Sequence, residues 1–90
     1  MLSGRNITIR YNAFSGNGEA IYSYAGESDI FYNIFVSNQN AVHIDGTNSI
    51  SEIYNNVFYD NMKGVLANYA DLTLHNNIFY LATSSDKAIE

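Results

Sequence analysis

The sequence contains no cysteine, no proline and no tryptophan, and it has few basic residues. Without cysteine no disulfide can stabilise the chain, and cysteine usage indicates no redox compartment. Without proline a ladder of hydrogen-bonded strands can run uninterrupted, because proline has no N–H to donate. Four Lys and Arg residues stand against nine Asp and Glu residues, a net charge of −5. This balance argues against nucleic-acid binding, which needs a basic stripe to neutralise phosphates, and it disfavours polyanionic partners unless a cation bridges them.

Long apolar runs are also missing. No run approaches the roughly 18 residues of a membrane span, so we expect no membrane insertion. The start Met1–Gly4 lacks the charged start, apolar stretch and cleavage site of a signal peptide. Ser3–Asn6 is typical of a turn that closes a preceding repeat, and the chain stops inside an apparent strand, Ala88–Glu90. We therefore expect residues 1–90 to be one β-solenoid segment, cut from a longer protein or descended from one.

What the sequence does contain is a repeated Asn-x-Phe unit. The Phe residues of successive units lie 21, 23 and 21 residues apart, and a fixed period of this kind indicates a repeat architecture. These residues are Phe14, Phe35, Phe58 and Phe79. Three residues before each Asn stands an aliphatic residue, namely Ile9, Ile30, Ile53 or Leu74. Seven residues after each of the first three Phe residues stands another, namely Ile21, Val42 or Val65.

The apolar residues around Ile7–Arg10 and Ile21–Tyr24 alternate with polar ones, which is the period of a strand. No segment sustains the helical period of 3.6, so we expect no helix. The spacing predicts four coils, at about residues 7–26, 27–49, 50–71 and 72–90. The two extra residues of the longer spacing lie in Asp45–Ser49, a loop by composition. Leu81–Lys87 should form a longer loop, and the spacing leaves the register of residues 81–90 open.

The pattern Ile-x-x-Asn-x-Phe-x-x-Asn, followed by Ala/Gly-Ile/Val, resembles the repeat of the pectate-lyase-like right-handed parallel β-helix proteins. The resemblance runs from Ile7 to about Phe79. It implies an all-β fold, a right-handed parallel β-helix with three short parallel sheets and an Asn ladder at the turn between the second and third. It also implies a secreted or cell-surface parent protein. Many members are polysaccharide lyases, hydrolases or epimerases, but no catalytic signature of the family is present in this segment.

The first sheet carries the main candidate site. If Ile21, Val42 and Val65 point inward, alternation turns five polar or aromatic side chains outward on adjacent rungs. These are Tyr22, Tyr24, His43, Asp45 and Asn68. Exposed aromatic rings suit stacking on a sugar and polar tips suit its hydroxyls, so we expect a polysaccharide or oligosaccharide to bind here. His43 and Asp45 are also candidate catalytic residues for general acid–base work. The alternative is that all five are ordinary solvated strand residues.

The second sheet carries two acids, Asp29 and Glu52, at equivalent positions of adjacent coils. They should lie about 5 Å apart, one strand spacing. Two close carboxylates could supply oxygen ligands to Ca²⁺ or divide the acid and base roles of glycoside cleavage. The alternative is two solvated acids with no ligand, and the sequence implies no other cofactor.

Two functions of different classes follow. The first is a carbohydrate-associated β-helix segment that binds, or once helped to process, an extracellular, neutral glycan. If it is an enzyme, we expect the polysaccharide lyase or glycoside hydrolase type. The second is a non-catalytic structural or interaction module, a section of a stalk or adhesin. Uncapped solenoid ends expose strand edges, and such edges invite end-to-end self-association.

Overall fold

A computed structural model describes residues 6–83 and 85–90, apart from the side chain of Ala25. These residues form ten β-strands and, within the described part, no helix. The strands are β1 (Asn6–Arg10), β2 (Ala13–Ser15), β3 (Glu19–Phe31), β4 (Ile34–Val36), β5 (Asn40–Tyr54), β6 (Val57–Tyr59), β7 (Lys63–Asn68), β8 (Asp71–His75), β9 (Ile78–Tyr80) and β10 (Lys87–Ile89). All pairings are parallel. The fold is therefore an all-β solenoid of about four coils, as the repeat predicts.

The strands pair in two sheets. One has the order β1-β3-β5-β7-β10, with β8 also paired to β5, and the other has the order β2-β4-β6-β9. Three strand segments per coil were expected, and all are present. The first and second segments run together, however, in the long strands β3 and β5, which have 13 and 15 residues. The predicted first and second sheets are thus one continuous, bent sheet.

The core is built from the predicted columns of apolar side chains. Ile9, Ile30, Ile53 and Leu74 are in register, and so are the four Phe residues. Neighbouring Phe rings stack with centroids 5.1, 4.8 and 4.5 Å apart. The Ile9 and Phe14 columns are buried in the two middle coils and only partly buried at the two ends. Since each buried large apolar side chain stabilises the fold by about 1.5–3 kcal/mol, the middle coils contribute most of the core.

Two ladders of asparagine side chains join the coils at the corners. In the first, each backbone N–H donates to the side-chain oxygen of the Asn one coil further on, at 2.9–3.0 Å. Its members are Asn12, Asn33, Asn56 and Asn77. A second ladder of the same geometry joins Asn17, Asn38 and Asn61. The inner members are buried with their polar atoms hydrogen-bonded, so their role is structural, as their corner position predicts.

The residue before each first-ladder Asn turns the corner in the left-handed region, with φ of 54–58°. These residues are Tyr11, Tyr32, Asn55 and Asn76. Glycine and, less often, asparagine are the usual residues at such corners, because most other side chains lose roughly 1–2 kcal/mol there. Tyrosine occupies the first two because the ladder fixes the corner and the Tyr11 and Tyr32 rings stack at 5.5 Å.

Both predicted irregularities are present. The register between β3 and β5 shifts where Tyr24 pairs Asp45 and Gly26 pairs Ser49, so the extra residues lie in Asp45–Ser49. They form a bulge inside a continuous strand rather than a loop between strands. In coil four, Ile89 pairs Val65, which fixes the register that the sequence left open. In the part of the chain that the structure describes, no helix is long and apolar enough to cross a membrane.

Candidate functional site

Five predicted side chains share one outer surface, which we name the His43 face: Tyr22, Tyr24, His43, Asp45 and Asn68. Strand pairing sets Tyr22 beside His43 on adjacent rungs, and Asp45 between Tyr24 and Asn68. The inward residues between them are buried, as alternation requires. The five residues that alternation placed on one outer surface therefore do lie together on one surface.

His43 is held from both sides. Its Nδ1 lies 3.0 Å from Glu19 Oε1, and its Nε2 lies 3.2 Å from Asn68 Nδ2. A carboxylate only accepts hydrogen bonds and an amide nitrogen only donates them. The neutral imidazole with its proton on Nδ1 therefore satisfies both neighbours, and the Nε2 lone pair is occupied by Asn68.

Tyr22 and Asp45 form a second contact on this face. The Tyr22 hydroxyl donates to Asp45 Oδ2 at 3.0 Å, and the Tyr22 ring lies 4.5 Å from the His43 ring, tilted by 46°. The hydrogen bond to Asp45, followed by partial burial, raises the pKa of Tyr22 above its ordinary value of 10.0. Tyr22 is thus a neutral hydrogen-bond donor at physiological pH. His43 and Asp45, the predicted catalytic pair, each bond to other side chains.

Tyr24 is the half-exposed aromatic side chain of this face, at 49%. Its ring lies beside Gly46, where an added Cβ would come within 3.4 Å of the ring. Gly46 has a φ of 101°, a conformation that side chains rarely adopt. The Tyr24 ring therefore packs against the bulge of β5, and part of the ring stays exposed to solvent.

Glu19 is the residue of this face that the prediction missed. It precedes Ile21 by two positions at the start of β3, and it pairs with Asn40. Its Oε1 accepts from Asn40 Nδ2 at 3.3 Å as well as contacting His43. Alternation gives no signal for it, because a residue two positions before inward Ile21 belongs to the inward side of the strand. Glu19 is nevertheless exposed, because it is the first residue of β3, where the chain leaves the corner.

The second outer surface, which we name the Glu52 face, carries Asp29 and Glu52 side by side in register, as predicted. They line a groove of about 320 Å³ together with Thr8 and Thr73. Glu52 Oε2 lies 3.1 Å from His75 Nε2. Within residues 6–83 and 85–90, no three His, Cys, Asp or Glu side chains converge to hold a metal ion.

Other aromatic side chains of the outer surface stack on one another along the solenoid. Phe31, Tyr54 and His75 form one row, with centroids 4.8 and 4.9 Å apart. Tyr59 and Tyr80 form another at 4.8 Å. Burial, followed by repulsion from Asp29, raises the pKa of Tyr54 above its ordinary value of 10.0. Tyr54, the middle ring of the first row, has both faces covered and cannot stack on a sugar.

Three comparisons bear on identity. No known protein family matches this sequence. No curated protein and no solved structure matches it significantly either.

Proposed function

We propose that this chain binds a neutral oligosaccharide or polysaccharide on the His43 face. The observation that carries the proposal is the half-exposed Tyr24 ring beside a row of fixed polar groups, Tyr22, Asp45, His43 and Asn68. An exposed ring suits the apolar face of a sugar. Hydrogen-bonded side chains are preorganised, so little side-chain entropy is lost when hydroxyl groups bind them.

The charge of the face supports a neutral ligand. Glu19 and Asp45 are acids on or beside it, and the whole chain has a net charge of −5, so an acidic glycan would be repelled. The Glu52 face offers a groove, but its lining residues include no aromatic ring. The resemblance of the repeat to pectate-lyase-like proteins also supports a glycan ligand, and with it an extracellular or cell-surface location.

The proposal is for binding, without catalysis. A general base needs a free lone pair within reach of the proton that it takes. The Nε2 lone pair of His43 faces Asn68, and its Nδ1 faces Glu19. Asp45 accepts from Tyr22 through Oδ2 and still has lone pairs on Oδ1, but in the described part of the chain it does not bond to His43, so the two do not form an acid–base pair. The second candidate function is a structural or interaction module. It is favoured by the fact that Tyr22, His43, Asp45 and Asn68 bond mainly to one another, as in a surface that only joins coils.

The test is a binding titration of the 90-residue chain against neutral glucans, galactans and xylans, with polygalacturonate as the acidic probe. Tyr24→Ala should weaken binding of the neutral glycan by about fivefold or more, because a lost ring contact is worth ~1 kcal/mol. Tyr80→Ala is the matched control, since Tyr80 is a half-exposed ring at the end of β9, in the other sheet. His43→Gln and His75→Gln form a second matched pair.

The outcomes separate the two functions. Loss of affinity in Tyr24→Ala and His43→Gln, with unchanged affinity in Tyr80→Ala and His75→Gln, supports glycan binding on the His43 face. A folded chain that binds none of the glycans supports the structural module. Equal losses of affinity in all four variants would mean that the substitutions act by disturbing the fold, and the proposed site would be rejected.

A further inference from the structure

Among the described residues, the strands of both end coils have an edge to which no further strand is paired. In the described part of the chain, β1 and β2 pair only with the second coil, and β8, β9 and β10 pair only with the coil before them. Each such edge presents N–H and C=O groups that a further strand can bind, so open edges are templates for association. Whether the two ends fit each other depends on their polarity, their core columns and their charge.

The polarity of the first Asn ladder makes the two ends complementary. Every internal step has the same direction, in which an Asn donates to the side-chain oxygen of the Asn one coil further on. At one end Asn12 Oδ1 accepts no hydrogen bond from the described residues, and at the other the Asn77 N–H donates to none of them. A free acceptor at the first coil thus matches a free donor at the last.

The core columns match in the same register. Phe14 and Phe79 end the stack of Phe rings, and Ile9 and Leu74 end the aliphatic column. All four are only partly buried, whereas their counterparts in the middle coils are buried. Placing the first coil of one copy on the last coil of another would cover all four. Their burial supplies the apolar gain that association needs.

The charges at the two ends favour one orientation of neighbouring copies. The column that begins with Glu19 continues through Asn40 and Lys63 to Lys87. The next position of this column, about 4.8 Å beyond Lys87, would be Glu19 of the following copy. The basic end of the column therefore meets its acidic end. Lys87 also pairs with Glu90 at 3.1 Å within its own chain, so Glu19 of the next copy would complete a network.

We propose that this chain self-associates head to tail, the last coil of one copy docking on the first coil of the next. The ladder, the core columns and the Glu19 column continue through the junction in register. Because such an interface uses two different surfaces, it leaves an open end on every assembly and forms linear chains rather than closed dimers. This inference does not depend on glycan binding.

The test is sedimentation velocity of the 90-residue chain over a range of concentrations at about 0.15 M salt, where repulsion between acidic copies is largely screened. The expected result is a series of soluble oligomers whose mean size grows with concentration. Glu19→Lys and Lys87→Glu should each weaken association by about fivefold, because each puts like charges at the junction.

An equimolar mixture of the two variants gives the decisive result. Each junction in the mixture can again join opposite charges, so oligomers should return when the two variants are mixed. Recovery also shows that both variants are folded. A folded wild-type chain that stays monomeric up to about 1 mM, a closed dimer that does not grow, or a mixture that fails to recover would each overturn the proposal. Gln39→Glu, which adds an acid on coil two away from both ends, should associate as wild type.

Discussion

Asn33 illustrates what a single buried amide does in this fold. Its Nδ2 donates to the carbonyl oxygens of Ile9 and Phe31 at 3.0 and 3.1 Å. Its Oδ1 accepts the backbone N–H of Asn12 at 3.0 Å. The residue is 1% exposed, and a buried polar group without partners costs about 1–3 kcal/mol. The amide is therefore favourable only because the ladder satisfies its polar atoms.

We predict that Asn33→Ala lowers the free energy of unfolding by about 2–4 kcal/mol, since it orphans the Ile9 carbonyl and the Asn12 N–H in or near the core. Asn12→Ala is the matched control. Asn12 is exposed at the end of the same ladder, where water replaces the lost partners, so its cost should be about 1 kcal/mol or less. Urea unfolding measures both, and equal losses would show that the ladder does not stabilise the fold in this way.

At the scale of elements, the bulge in β5 depends on its glycine. Gly46 combines a φ of 101° with a Tyr24 ring only 3.4 Å from the position of a Cβ. We predict that Gly46→Ala destabilises the chain by about 1–3 kcal/mol, the usual cost of a side chain in a disfavoured backbone region. Gly18→Ala is the control, because a Cβ there meets no atom closer than 4.0 Å and the loss of chain entropy in the unfolded state favours Ala. Thermal unfolding compares them, and equal effects would contradict the role of the bulge.

The last strand, β10, is held by a charge cluster. Hydrogen bonds from Lys63 and then Lys87 hold the pKa of Glu90 below its ordinary value of 4.5. A lowered pKa in the folded state means that this contribution is present above pH 4.5 and is lost as the pH falls through the folded value. We predict that the amides of β10 lose hydrogen-exchange protection in acid before those of β6. Glu90→Gln should show weak protection of β10 at all pH values; a wild-type acid response in this variant would refute the assignment.

These elements also show which features a sequence can predict. The columns of Ile, Phe and Val were predictable because side chains at a fixed spacing must stack when coils stack. Counting the spacing between repeats located the two extra residues in Asp45–Ser49. It did not predict that these residues continue a strand, because residues typical of loops can still pair when the residues on either side hold the strands in register. The left-handed backbone conformation of Tyr11 and Tyr32 could not be predicted from the sequence, because tyrosine does not favour that conformation. Of the His43 face, alternation predicted the five surface positions but not Glu19, because Glu19 has the parity of inward Ile21 and reaches the face only from the strand end.

For the whole molecule, stability is arranged along one dimension. Every strand pairs only with strands of adjacent coils, so each coil depends on its immediate neighbours. The middle coils have neighbours on both sides, and their core residues Ile30, Phe35, Ile53 and Phe58 are 0–2% exposed. The end coils have a neighbour on one side only, and their core residues are partly exposed.

This arrangement predicts a gradient of hydrogen exchange rather than one uniform rate. At concentrations low enough for the chain to be monomeric, the amides of β4 and the paired part of β5 should exchange most slowly, because they open only when the middle coils separate. Those of β1, β2 and β9 should exchange fastest, since unpairing an end coil breaks one interface instead of two. As the concentration rises, head-to-tail docking should slow exchange in β1, β2 and β9 and leave β4 unchanged. Uniform protection at low concentration would mean that the four coils unfold as a single cooperative unit. Fast exchange at the ends at every concentration would mean that the open edges stay exposed to solvent.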